Sequence, residues 1–189
     1  MMIRTFALNL TNRLVNKTII KQSSHEVYTY GFELIISAFI SIFLMAILSI
    51  SLRRPYDWLL FLSSFVPLRT TAGGYHASTH LKCIVIGSLA FFGLLVVSRL
   101  PLDWTVIVPV ISVISFLLIL LFSPVEARNK SLKVEQRKRN RIVSISFGSA
   151  NLLFAVSGIF IQGLSDVLSI YFAGVFAAAL SMLVANAKK

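Results

Sequence analysis

The chain has 189 residues, 57% of them hydrophobic and 13% charged, with a formal net charge of +11 and one cysteine. So apolar a composition excludes an ordinary soluble domain and makes a bilayer the expected solvent. One cysteine excludes an intramolecular disulfide and any multi-cysteine metal or redox motif, so no metal or cofactor is expected.

The cations cluster rather than spreading along one face, which argues against a nucleic-acid partner. Arg4, Arg13, Lys17 and Lys21 form one group, seven cations between residues 128 and 141 a second, and Lys188 with Lys189 a third. Clusters that flank apolar spans mark the cytoplasmic side of a membrane. With no soluble stretch long enough to fold separately, one membrane domain over 1–189 is expected.

In residues 1–25, Ile3, Phe6, Leu10 and Leu14 recur near helical spacing with the cations elsewhere, predicting an amphipathic helix on the inner leaflet. It has no apolar block of the kind found in a cleavable signal peptide, so it is expected to be retained. The first span, 30–52, exceeds the roughly 20 residues that cross about 30 Å of hydrocarbon. It contains Glu33, an ionisable group that needs a partner there, either a cation or a catalytic histidine. The next apolar piece, 58–68, is only eleven residues long and carries Pro67. It is either a short sheltered crossing or a re-entrant segment.

A polar stretch, 69–83, precedes the apolar segment 84–98, and a short turn leads to the span 104–123. A basic loop, 124–141, follows, with Arg137, Lys138 and Arg139 among its seven cations. Spans 142–164 and 167–187 are separated by Ser165-Asp166. The fold class is therefore an all-α integral membrane protein: about six apolar helices in 30–187, the second short or irregular, plus the N-terminal interfacial amphipathic helix. Counting crossings from the basic clusters places the N-terminus, 69–83, 124–141 and the C-terminus in the cytoplasm.

The chemistry is expected in 69–83. Cys83 stands where this polar stretch meets an apolar helix, near water yet rigidly held. With a helix start near Ser78 it lies about one turn in, where free amides and Lys82 favour a thiolate. A lone membrane cysteine also serves simply as a small packing residue. Two imidazoles lie close in sequence, and imidazole is the usual base for a cysteine nucleophile. In a continuous helix His80, three residues before Cys83, is the adjacent one; His76 lies about 10 Å away along the axis and reaches the sulfur only if the chain bends. Gly73-Gly74 permit a bend and Ser78-Thr79 supply caps, so both histidines remain open as base or as plain interfacial side chains. Arg69 either binds a substrate carboxylate or carbonyl, or snorkels to headgroups.

The arrangement Arg69-x4-Gly74-x-His76-x6-Cys83, with the run Ala72-Gly73-Gly74-Tyr75-His76-Ala77, resembles the core motif of the accessory gene regulator B (AgrB) family. A second similarity is Pro124-Val125-Glu126-Ala127-Arg128-Asn129-Lys130 at the start of the basic loop. The order of apolar segments agrees over most of the chain, whereas the first 25 residues match only in character. The resemblance implies a bacterial membrane cysteine endopeptidase acting on an AgrD-like propeptide with an acidic C-terminal tail. It implies Cys83 as nucleophile and His76 as base, with Arg69 and Gly74 at supporting motif positions, and it suggests a homodimer. His80 is not part of the motif. The cations of the basic loop, Arg137, Lys138 and Arg139 among them, would attract the acidic tail or serve topology alone. A rival function, a small transporter or export partner, rests on Glu33 at membrane depth and on small residues such as Gly148, Ser149, Ala150, Gly158 and Gly174.

Overall fold

The computed structural model describes residues 2–75, 79–125, 133–161 and 164–187, and of 164–166 the backbone. His76, Ser78, Glu126, Arg128, Asn129, Lys130, Lys188 and Lys189 lie outside the described residues.

Seven α-helices make up the described chain, with no strand among them: α1 (Met2–Asn16), α2 (His25–Ser51), α3 (Asp57–Ala72), α4 (His80–Val97), α5 (Trp104–Phe122), α6 (Val134–Ser157) and α7 (Leu164–Ala187). This is the all-α arrangement the sequence predicts, one N-terminal helix and six apolar ones. Five of them, α2 and α4 to α7, contain stretches long and apolar enough to cross a membrane. With 16 residues, α3 reaches about 24 Å at 1.5 Å per residue.

Several boundaries move. Helix α2 begins at His25, five residues before the predicted span. Helix α3 runs through Pro67 to Ala72, so Arg69 belongs to a helix and not to a loop. Proline forfeits one ladder hydrogen bond, but the Pro67 carbonyl accepts from the Thr70 and Thr71 hydroxyls at 3.0 and 2.9 Å. The second half of the basic loop is helical, because α6 starts at Val134. The break before the last helix falls ahead of Leu164, which puts Ser165-Asp166 inside α7.

Helix α7 is the central element. Ser169, Ile170, Phe172, Ala173, Val175, Ala178, Ala179 and Met182 are buried along it, and small residues let α3 and α5 approach closely. Gly174 shows how closely: a Cβ there would lie 2.9 Å from the Phe61 carbonyl oxygen of α3. Ser64 of α3 donates to the Tyr171 carbonyl at 2.7 Å. The stripe Asp57, Phe61, Ser64, Leu68 and Ala72 is the buried face of α3, so this short helix is sheltered by α7 instead of meeting lipid all round. It runs from the Arg54–Asp57 pair back to the glycine turn beside Ser181.

Successive helices from α2 to α7 reverse direction, which gathers the turns into two groups. At one end lie α1, residues 73–75, 79, 123–125 and 133, and the C-terminal end of α7. The described cations of α1, α6, Arg69 and Lys82 belong to this basic end. At the opposite end Arg54 pairs with the buried Asp57 at 2.7 Å, and Arg99 also acts on that carboxylate. The full return by α3 is what puts the Arg69 turn and the start of α4 on the same side as the basic helix α6.

Helix α1 does not simply sink the stripe Ile3, Phe6, Leu10 and Leu14 into a leaflet. Ala7 and Thr11 are fully buried while Phe6 is 59% exposed. The buried face packs antiparallel on the first turns of α2, tied by Thr29 donating to Thr11 at 3.2 Å and by His25 with Asn12 at 2.8 Å.

Candidate functional site

At the basic end α3 gives way to a turn that only glycines make easily. Gly73 and Gly74 have φ of +77° and +141°, a region unfavourable to residues with a Cβ. Sterics impose the same choice: a Cβ on Gly73 would lie under 3.0 Å from the Val125 carbonyl oxygen, and one on Gly74 under 3.0 Å from both Arg69 Nη1 and Ser181 Oγ.

The turn is held from three sides. Gly73 forms an isolated β-bridge with Val125, whose N–H donates to the Ala72 carbonyl at 2.8 Å. The Tyr75 N–H donates to the Ser181 carbonyl of α7 at 2.9 Å. Arg69, in the last turn of α3, donates from Nη1 to the Gly73 carbonyl at 3.3 Å and to Ser181 Oγ at 3.1 Å, and from Nη2 to the Tyr75 carbonyl. Two segments that are 50 residues apart in sequence, the glycine run and the Pro124-Val125 pair, are therefore neighbours. Arg69 points inward at the turn rather than snorkelling, and its planar fork suits a ring of three acceptors.

Helix α4 begins five residues after Tyr75. Its N-cap is Thr79, whose hydroxyl accepts from the Lys82 N–H at 3.3 Å. Cys83 lies in the first turn, its N–H donating to the Thr79 carbonyl at 3.1 Å, and its side chain is exposed. The sulfur lies within electrostatic reach of the Arg69 guanidinium.

Glu33 finds the partners that its position requires. Its Oε2 is 3.0 Å from His80 Nε2 and its Oε1 is 3.9 Å from Arg4 Nε, while Tyr30 packs its ring 6.0 Å from that of His80. The cluster joins α1, α2 and α4 at the basic end, level with the start of α4, so Glu33 does not sit alone at mid-membrane depth. His80 is thus turned toward α2 although it precedes Cys83 by three residues.

Arg137, Lys138 and Arg139 are exposed on the first two turns of α6. Ser144, further along that helix, donates to Thr71 at 3.1 Å. The three cations therefore project about 8–11 Å beyond the level of Thr71, by helical rise. Arg141 instead reaches back to the Ser123 carbonyl at 3.3 Å and caps α5. Among the described residues no three His, Cys, Asp or Glu side chains converge as a metal site.

Sequence reasoning missed Ser181, and it noted Val125 only as part of a motif without placing it against Gly73. A serine inside an apolar span reads as one more small packing residue, and nothing in its spacing links it to Arg69.

The family model for accessory gene regulator B matches residues 7–184. AgrB-like protein 2 of Clostridium perfringens strain 13 is 28% identical over 150 residues, covering 76% of this chain and 67% of its own length. An AgrB-like protein of C. perfringens strain SM101 is 29% identical over 121 residues, covering 60% of this chain and 56% of its own. No solved structure matches. A match over nearly the whole chain, with five helices able to cross a bilayer, makes this a multi-pass membrane protein of the accessory gene regulator B family.

Proposed function

We propose that the chain is a membrane cysteine endopeptidase of quorum sensing that removes the acidic C-terminal tail of an AgrD-type propeptide and closes the remaining peptide into a ring. The observation that carries this reading is the placement of Cys83. This sole cysteine is exposed in the capped first turn of α4, which starts five residues after Tyr75 of the Arg69-held turn; His76 is the residue that follows Tyr75 in the sequence. The family membership supports the substrate class.

In this reading His76 takes the thiol proton and the Cys83 thiolate attacks the peptide bond before the acidic tail. The carbon–nitrogen bond breaks, the tail leaves as an amine carrying the proton from His76, and the signal region stays on Cys83 as a thioester. An internal thiol or hydroxyl of the peptide then attacks that thioester, restores the Cys83 thiol and forms a thiolactone or lactone. Keeping water from the thioester matters as much as activating the sulfur. The exposed cations Arg137, Lys138 and Arg139 draw the acidic tail to this end, which faces the cytoplasm by the positive-inside rule. The family suggests a homodimer. The transporter alternative loses its main motive, because Glu33 is paired with His80 and Arg4 at one end of the bundle.

The test is co-expression with an AgrD-type propeptide and mass analysis of the products. Cys83→Ala and His76→Ala are each expected to insert normally and to abolish cleavage, since nucleophile and base act as a unit. Normal cleavage by Cys83→Ala refutes the enzyme reading. Normal cleavage by His76→Ala together with an inactive His80→Ala moves the base to His80.

A further inference from the structure

We infer that the outer face of α6 binds an anionic phospholipid, with Lys138 and Arg139 holding its phosphate and Ile142 and Val143 lying under its acyl chains. The inference does not depend on the proposed function. Helix α6 buries Ser144, Gly148, Asn151 and Ala155, on the side from which Ser144 meets Thr71 of α3. At about 100° per residue, Arg137 falls within about 20° of Ser144, whereas Lys138, Arg139, Ile142 and Val143 lie about 100–160° round from it. Together with Glu135, these four line a shallow groove of about 320 Å³. The basic run is thus divided: Arg137 stands on the side of α3, and the groove faces away from the bundle.

Depth sorts the lining into two levels. The helix that begins at Val134 runs on to Phe160, 27 residues in all, or about 40 Å. Counting about 30 Å of hydrocarbon back from Phe160 reaches Arg141. Ile142 and Val143, 55% and 44% exposed, are therefore the last residues that acyl chains cover. Lys138 and Arg139 stand about one turn further out, at headgroup level. An apolar floor at the hydrocarbon boundary under two cations matches a lipid that is apolar below and negative above. Among the described residues the ion pairs are Arg4–Glu33, Arg54–Asp57 and His80–Glu33, so neither cation is committed to a carboxylate there. The Arg139 fork suits two phosphate oxygens, with Lys138 as a point charge beside it. Glu135, a turn further out again, opposes the phosphate and limits the preference. An acidic peptide shares the lipid's charge but lacks the acyl chains that Ile142 and Val143 call for, which makes the lipid the better occupant. Long-range attraction of an acidic tail by the whole basic run is unaffected.

The native tryptophans, Trp58 and Trp104, begin α3 and α5 at the opposite end of the bundle. Ser146→Trp, one turn below Ile142 on the same exposed face, therefore makes a local reporter. Full-length protein with and without it is reconstituted in bilayers where brominated phosphatidylglycerol or brominated phosphatidylcholine replaces part of the lipid, and the quenching due to the reporter gives a relative binding constant. Phosphatidylglycerol is expected to be preferred about fivefold or more, since each basic residue at an anionic surface contributes about that factor. The preference should shrink toward one in about 1 M salt. Lys138→Gln, Arg139→Gln is expected to abolish it, Lys138→Arg to keep it and Glu135→Gln to raise it. Arg13→Gln, Lys17→Gln, which removes two exposed cations of α1 at the same end, is expected to leave it within about twofold of wild type.

If a correctly inserted Lys138→Gln, Arg139→Gln protein keeps the preference, or the α1 variant loses it equally, the charge of the whole surface attracts lipid and the inference is overturned. It is likewise overturned if neither lipid is preferred and a synthetic Asp- and Glu-rich peptide carrying a dinitrophenyl quencher extinguishes the reporter, since the groove then takes acidic peptide. Should the double Gln variant insert wrongly, Glu135→Lys decides, because it adds a cation at the same end: the preference should rise about fivefold, and an unchanged ratio refutes the inference. No arm reads propeptide cleavage, so the proposed function stands or falls separately.

Discussion

Gly74→Ala is the sharpest single test of the site's construction. The added methyl would sit 3.2 Å from Arg69 Cζ and under 3.0 Å from both Arg69 Nη1 and Ser181 Oγ, so the guanidinium or the backbone must move. At φ +141° the new Cβ also brings backbone strain of about 1–3 kcal/mol. Moving the fork breaks at least one hydrogen bond from a charged donor, on the order of 1.5–3 kcal/mol. Together these place the destabilisation at roughly 2.5–6 kcal/mol if the turn is retained, reaching the range of the most damaging single changes. If the turn instead rearranges, the stability loss shrinks and the cost moves to catalysis, about 100-fold in cleavage rate. The assay pairs the midpoint of heat-induced loss of monodisperse protein in detergent with the rate of propeptide cleavage. Gly87→Ala and Gly93→Ala are the controls, because a Cβ at either meets nothing within 4 Å, and both should lie within about 1 kcal/mol of wild type, on the stabilising side for a helix interior. A Gly74→Ala protein that matches these controls in both midpoint and cleavage refutes the account of the turn.

Glu33→Ala should lower stability by about 1 kcal/mol, as expected for a partly exposed pair, by releasing α1 and the start of α4; His80→Ala should have a similar effect and retain cleavage, and an unchanged heat midpoint in both would show that the cluster ties nothing together. Reversing Arg137, Lys138 and Arg139 to Glu should weaken apparent affinity for an acidic-tailed peptide more than the rate at saturation; a milder Arg137→Gln, Lys138→Gln variant of verified topology should show the same trend, whereas normal binding with unaltered salt dependence would leave those cations a role in topology alone. On a Cys83→Ala background, a cysteine at Gln136 should be protected from a membrane-impermeant thiol reagent in intact cells and one at Arg53 should be labelled, and the reverse pattern would invert the assigned orientation.

Much of this architecture is legible in the linear chain because a bilayer imposes a length and a polarity that sequence displays directly. Spans such as 104–123 announce themselves by apolar run and flanking polar residues, and the cation clusters show which turns share an end. The run from Arg69 to Cys83 marked the candidate chemistry by residue type and spacing, and it anticipated a bend at Gly73-Gly74 and a helix cap at Ser78-Thr79, where Thr79 is the N-cap.

What the tertiary structure decided concerns partners distant in sequence. Eleven apolar residues and a proline do not reveal where a segment leads; α3 runs from the Arg54–Asp57 end back to the glycine turn, packed on Gly174 and its small neighbours on α7. A charged residue in an apolar span says only that a partner is needed, and packing of α2 beside α4 chose His80 for Glu33. Ser181 lies 112 positions from Arg69, and only the parallel packing of α3 on α7 makes its hydroxyl an acceptor for that guanidinium. Composition and periodicity report each segment's preference for lipid or water. Hydrogen bonds between segments depend on distances of a few ångströms that are settled only when helices pack.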